Sequence, residues 1–281
     1  MPNRIRRSLL LSSWSLAFLP ALADAAIGEQ QGGQGPASSS KPVGDAFPRQ
    51  DPELVKEMVT VAHGDGPSPS NGRNLARVKE LVGRQQTLAK ANYDWGFGDW
   101  ESAIDAASHV GNREIAEFLL ANGARPTMFS AAMLGQLDVV KAMMAASPGS
   151  QKIKGPHTIT LLRHAIAGGA QAKPVLDYLT QLGGADDRLP TKPITSDENT
   201  KLAGVYAFGA SPADRLEVTI VRDVLQISRP GHTPRGLAHL GSFEFYPAGA
   251  ENVRVRFAEA GGGITLTVHD PDVVLSAKKS G

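Results

Sequence analysis

Ser102-Ala103-Ile104-Asp105-Ala106-Ala107-Ser108-His109-Val110-Gly111-Asn112-Arg113-Glu114-Ile115-Ala116-Glu117-Phe118-Leu119-Leu120-Ala121-Asn122-Gly123-Ala124 is the stretch on which the fold turns. It reads as two short helices joined at Gly111-Asn112. The small residues Ala107 and Ser108 let the two helices approach closely, and Gly111 tolerates the left-handed geometry that ends the first. Ile115, Leu119 and Leu120 give the second helix an apolar stripe to bury. The layout recurs. Thr127 to Met144 repeats it, with Gly135 standing 24 positions after Gly111. Thr160 to Gly169 repeats the first helix and continues into Val175-Leu176-Asp177-Tyr178-Leu179, with Gly169 standing 34 positions after Gly135. A degenerate copy comes first: Leu54 to His63, a turn at Gly64-Asp65, a loop through Pro67-Ser68-Pro69, and Leu75 to Val82.

These units resemble the ankyrin repeat, which has a period of about 33 residues. The shorter first interval requires that the usual hairpin between those two units be cut short. The resemblance covers roughly residues 51–187, nearly half of the chain. It implies a solenoid that meets partners with its connecting fingers and the exposed side of its first helices. Ile115, Leu119, Val139, Val140, Leu176 and Leu179 are expected to share one dry interior. An unrelated bundle of paired helices is the alternative architecture.

From Leu202 the apolar period changes to two. Leu216, Val218 and Ile220 alternate with polar residues, as do Leu225 and Ile227, Phe243 and Phe245, Val253, Val255 and Phe257, and Ile264, Leu266 and Val268. Each segment therefore buries one face and wets the other. Short connections at Arg222-Asp223 and Gly261-Gly262-Gly263 favour sequential antiparallel hairpins, so a meander closing towards a barrel is expected. Leu202-Ala203-Gly204-Val205-Tyr206, Leu216 to Ile227, Leu240 to Phe245 and Val253 to Phe257 give this part a likeness to the small β domain appended to some bacterial β-lactamase-like serine hydrolases. That resemblance implies an accessory module. The hydrolase domain itself is absent from the sequence, so no active-site residue carries over.

The resulting fold class is α+β in two domains, an ankyrin-like α-solenoid followed by a small antiparallel β-meander or barrel. The expected boundaries are a signal peptide over 1–25, a disordered linker over 26–50, repeats over 51–187, a linker over 188–200 and an all-β domain over 201–279. Met1 to Arg7 carries three arginines and no acid, Ser8 to Leu22 is mostly apolar, and small residues suited to cleavage follow at Ala21, Ala23 and Ala25. That is a secretory leader pattern, which places the mature protein in a bacterial periplasm or outside the cell, with no membrane span after cleavage. Residues 26–50 are rich in Gly, Gln, Ser and Pro and too poor in apolar side chains to offset ordering entropy.

The chain has no cysteine, which excludes disulfides, thiolate metal sites and a cysteine nucleophile together. Its formal net charge of +1 gives no footprint for nucleic acid. No Gly-x-Ser-x-Gly elbow, His-Glu-x-x-His helix, phosphate loop or calcium loop occurs. Ser38-Ser39-Ser40-Lys41 matches a Ser-x-x-Lys string, but it falls in the low-complexity linker. The seven histidines are His63, His109, His157, His164, His232, His239 and His269. None lies three or four residues from another, so no pair is preset on a helix to hold a metal. A site assembled from distant histidines by folding stays open. No cofactor, metal or catalytic residue is expected.

One cluster stands out, Tyr93-Asp94-Trp95-Gly96-Phe97-Gly98-Asp99-Trp100, which holds both tryptophans that follow the leader. Rigid aromatics are strong interface anchors; the same residues could instead plug the groove of an imperfect repeat. The expected partner-binding surface is Tyr93, Trp95, Phe97 and Trp100 with His109, Val110, Ser130, Met133 and Leu134 of the first helices. The function expected is therefore a non-catalytic scaffold that binds an unidentified protein. A small-ligand binder or weak hydrolase centred on the β domain is the alternative.

Overall fold

The computed structural model describes residues 49–64, 71–270 and 273–280. The leader, almost all of the linker at 26–50 with its Ser38–Lys41 string, and the Pro67-Ser68-Pro69 loop lie outside the described residues. The fold is α+β, with nine α-helices among the described residues and a closed antiparallel β-barrel of eight strands.

The helical part runs α1 (Pro52–His63), α2 (Asn71–Arg84), a hairpin of β1 (Asn92–Asp94) and β2 (Trp100–Ser102), then α3 (Ala103–His109), α4 (Arg113–Ala121), α5 (Met128–Met133), α6 (Leu137–Ala146), α7 (Leu161–Ala167) and α8 (Lys173–Leu182). The odd-numbered helices form a row, α1 on α3, α3 on α5 and α5 on α7, and each also packs on the helix that follows it. Polar side chains start several of them. Asp51 accepts from the Glu53 N–H, Ser102 from Asp105 and Thr127 from Ser130, satisfying N–H groups that have no partner within the helix. Gly111 ends α3 with φ of 76°, and a Cβ there would overlap the Ala167 carbonyl oxygen at the end of α7. Only glycine combines that turn with that approach.

The expected single interior is divided in two. Ile115 and Leu119 belong to one apolar cluster, which reaches as far as Met133, whereas Val140, Leu179 and Leu176 belong to a second one with Ala131, Leu161 and Val175. Polar side chains lie among these helices: buried Ser108 Oγ bonds buried His164 Nδ1 at 2.9 Å, and half-buried Thr127 Oγ1 donates to buried Asp105 at 2.5 Å. Val139 lies outside both clusters and is 45% exposed, because Val140 and Met144, four residues apart, form the buried stripe of α6.

Across the boundary between the segment read as a linker and the expected all-β domain, Ser196–Leu202 forms α9, closed at its start by a capping box between Thr195 and Glu198. The barrel follows as β3 (Gly204–Ala207), β4 (Arg215–Val221), β5 (Val224–Ser228), β6 (Arg235–Gly241), β7 (Glu244–Pro247), β8 (Arg254–Ala260), β9 (Gly263–Asp270) and β10 (Val273–Lys279). Consecutive strands pair, and β10 closes on β3 with Lys279 opposite Tyr206. Leu216, Val218, Leu225, Ile227, Phe245, Val255, Phe257, Leu266 and Val268 fill the interior. Arg222-Asp223 and Ser242-Phe243 both have positive φ at each residue, the geometry that two-residue hairpins demand. Because each strand reverses the last, these turns and α9 gather at one end of the barrel. The longer connections after β3, β5 and β7 gather at the other, which is the mouth.

Candidate functional site

The aromatic cluster forms the hairpin β1–β2, with Asn92 opposite Ser102 and Asp94 opposite Trp100. Its tip carries three successive residues at positive φ, Gly96, Phe97 and Gly98. Asp99 and Glu101 point the other way from Trp100 and are buried, at 4% and 0% exposure, whereas Trp100 is 62% exposed. Alternation along an extended strand explains the division.

Glu101 is the hub of a cluster of histidines drawn from three distant places. His63 is the last residue of α1, His109 the last of α3, and His157 sits in the short turn Pro156–Thr158 before α7. His63 Nε2 lies 3.2 Å from Glu101 Oε2, His157 Nε2 3.2 Å from the same oxygen, and His109 Nε2 2.9 Å from Oε1. Trp95 donates its indole N–H to Oε2 at 2.6 Å. Taking one donor atom from each of His63, Glu101, His109 and His157, all four lie within 4.8 Å of one another.

A second layer orients these groups. His63 Nδ1 lies 2.9 Å from the Val59 carbonyl oxygen, and His157 Nδ1 lies 2.8 Å from Asp99 Oδ2. The His157 backbone N–H donates to Asp99 Oδ1 at 2.9 Å, which holds that residue at φ of 58°. Asp99 in turn pairs with Arg235 at the start of β6, whose guanidinium also donates to the Ala248 carbonyl. The chain from His157 through Asp99 to Arg235 thus joins the helical part to the barrel.

The electrostatics follow the contacts. Burial alone would raise the Glu101 carboxyl, but the imidazoles of His109, His157 and His63 packed against it outweigh that and hold the group far below the usual carboxylate range. Burial works in the same direction at Asp99, and bonds from His157 with the charge of Arg235 overcome it there too. Burial would lower His157, yet Asp99 and Glu101 push it up to about 9. His164 has no such carboxylate partner, and burial, with the nearby His109, pushes it down to about 3.

Beside this cluster, between the hairpin tip and the barrel mouth, is a cavity of about 420 Å³. Trp95, Gly96 and Phe97 line one side, and Phe208, Leu216, Ile227, Val268 and Leu275 line the other. Polar groups border it at Arg229, His232, Thr233, Arg235 and Asp270. The Arg229 guanidinium lies over the Phe208 ring, 5.4 Å from its centroid, and has no ion-pair partner among the described residues.

No protein-family model matches the chain, and no curated protein does.

Of the residues expected to meet a partner, Trp95 and His109 are engaged with Glu101, and Tyr93 packs edge-on against Trp95 at 4.9 Å. Phe97 and Trp100 stand at the surface, at 36% and 62% exposure. Ser130 and Met133 are buried, and Val110 and Leu134 are half-buried. Sequence spacing missed the cluster because its histidines lie 46 or more positions apart and meet only when α1 stacks on α3 and the turn at His157 packs against both. One signal was present: His63 and His109 each close a first helix, one and two positions before its glycine, so stacked units bring them together.

Proposed function

We propose that this chain is a non-catalytic binding protein that takes up a small, largely apolar molecule between its aromatic hairpin and the barrel mouth. The cavity carries this reading. Its apolar lining and few bordering polar groups are the usual composition of a small-molecule site, and Arg229, His232 and Thr233 are placed to meet a polar end. The helix pairs serve in this reading as an ankyrin-like array that holds the hairpin in place. Supporting that view are the recurring helix pairs, the turn glycines Gly111 and Gly135, both at φ of 76°, and the row of first helices. The leader pattern over 1–25 supports a site of action in the periplasm or beyond.

A medium-chain acyl compound such as decanoate tests the proposal. A hundredfold excess of decanoate over Kd should stabilise the wild-type protein by about 2.7 kcal/mol, read as a raised melting temperature. Leu275→Trp, which fills the cavity from the barrel side, should abolish that gain while leaving the barrel's circular dichroism intact. Equal stabilisation of both proteins would exclude the cavity as the site.

Exposed Trp100 favours a second reading, in which the same hairpin docks on a protein partner. Trp100→Ala would then release a partner from the native cell envelope without altering decanoate binding.

A further inference from the structure

We propose that His63, Glu101, His109 and His157 form a site for one divalent first-row transition ion of the zinc class, bound by three imidazole nitrogens and one carboxylate. The proposal does not depend on the cavity reading.

Hydrogen-bond accounting carries it. The Val59 carbonyl can only accept, so the Nδ1 of His63 that faces it at 2.9 Å must bear the hydrogen. The ionised Asp99 carboxylate imposes the same choice on His157 Nδ1 at 2.8 Å. With Nδ1 protonated, a neutral ring turns the bare lone pair of Nε2 towards Glu101, and in both rings that nitrogen lies 3.2 Å from an oxygen that is itself an acceptor. Two acceptors do not hold each other at that distance unless a cation lies between them. Protons could fill that place only by making both rings imidazolium: Asp99 and Glu101 favour that at His157, but a second positive ring at His63 would then stand 6.0 Å from it and 4.8 Å from His109. One divalent ion satisfies the three nitrogens and the carboxylate together and leaves every ring neutral.

Geometry and surroundings agree. Donors around a tetrahedral zinc ion with bonds near 2.0 Å stand about 3.3 Å apart; His63 Nε2 and His157 Nε2 each lie 3.2 Å from Glu101 Oε2, and the four donor atoms all lie within 4.8 Å of one another, so small side-chain shifts would close the shell around one ion. A ring nitrogen bonded to a carbonyl or carboxylate behind it is the usual way in which a metal-binding histidine is oriented; His63 and His157 both have that arrangement. His63 and His109 also close the C-terminal ends of α1 and α3, where the helix dipole is negative and favours a cation. Imidazole donors suit zinc, copper, nickel and iron, whereas magnesium and calcium require oxygen. Three imidazoles and one buried carboxylate fill four positions and make a closed site, and the role that follows is structural: the ion ties α1, the hairpin, α3 and the turn at His157 together.

The test uses the full-length protein stripped with a chelator and titrated with zinc or cobalt(II). The expected results are one ion per chain, the visible absorption bands of four-coordinate cobalt, and a melting temperature raised by about 5 °C or more at a hundredfold excess of zinc over Kd. His63→Ala, a change at the end of α1, should lower zinc affinity at least about tenfold with helicity retained. Because Glu101→Gln could fail to fold, the cobalt spectrum of the wild-type protein is the readout that needs no variant. A stripped wild-type protein that is folded yet shows no saturable zinc binding and no four-coordinate cobalt spectrum would overturn the proposal in favour of protons alone. Undiminished affinity in His63→Ala would overturn it as well.

Discussion

Trp95, where the hairpin turns after β1, reaches diagonally across to Glu101 on β2 and donates its indole N–H to Oε2 at 2.6 Å. The same indole lines the cavity at the barrel mouth. One side chain therefore belongs to both the buried charged cluster and the apolar pocket, so the position of the hairpin sets both.

Trp95→Phe keeps a ring over the cavity and removes the donor. A hydrogen bond to a charged group contributes about 1.5 to 3 kcal/mol. Half-buried Trp95 should give the lower part of that range, measured as a reduced midpoint in urea denaturation with an unchanged slope.

Gly249 lies at φ of 87° in the loop after β7, and a Cβ there would collide with the Asp99 carboxylate and the Arg235 guanidinium. Gly262 lies at φ of 81° in the β8–β9 turn with nothing near the corresponding position. Gly262→Ala should cost about 1 to 2 kcal/mol, the conformational penalty alone. Gly249→Ala should cost clearly more, because the pair linking hairpin to barrel must also move. Equal losses in thermal unfolding would show that the Asp99–Arg235 pair does not constrain this loop.

His164 supplies a pH dependence of known sign. Its folded value of about 3 is below its ordinary 6.5, so its contribution to stability is complete above pH 6.5 and is lost as pH falls towards 3. Between pH 6.5 and 4.5 the wild type should lose stability more steeply than His164→Gln, since carboxylate contributions common to both proteins cancel. Parallel curves of unfolding free energy in that window would contradict the neutral, buried state of this ring.

In the barrel, the buried Tyr206 hydroxyl donates to the Leu202 carbonyl at 2.6 Å, and burial pushes its own ionisation up to about 12. A raised value means that stability is complete below pH 10 and falls as pH climbs from 10 towards 12. Tyr206→Phe should cost about 1 kcal/mol at neutral pH and flatten the alkaline loss, as read by denaturant melts at pH 7 and pH 11.

Much of the fold was legible because it rests on local periodicity. The alternation around Leu216, Leu225, Val253 and Ile264, with the turns at Arg222-Asp223 and Gly261-Gly262, reveals the hairpins directly. Strands β6 and β10 were hidden, since Arg235-Gly236-Leu237-Ala238-His239 alternates weakly and Val273 to Lys279 ends in charge. The two helical clusters were also hidden, because their separation depends on which face of α5 each neighbour meets. The aromatic hairpin drew attention in the sequence through its tryptophans. Its chemistry did not, because Asp99 and Glu101 look like ordinary surface acids until the strand turns them inward.

Calorimetric titration with decanoate at several temperatures tests most directly whether the cavity between the hairpin and the barrel is a binding site. The account predicts a single saturable site per chain, with a negative heat-capacity change from burying apolar surface, both lost in Leu275→Trp. Heats that never saturate, or an unchanged isotherm in that variant, would contradict it.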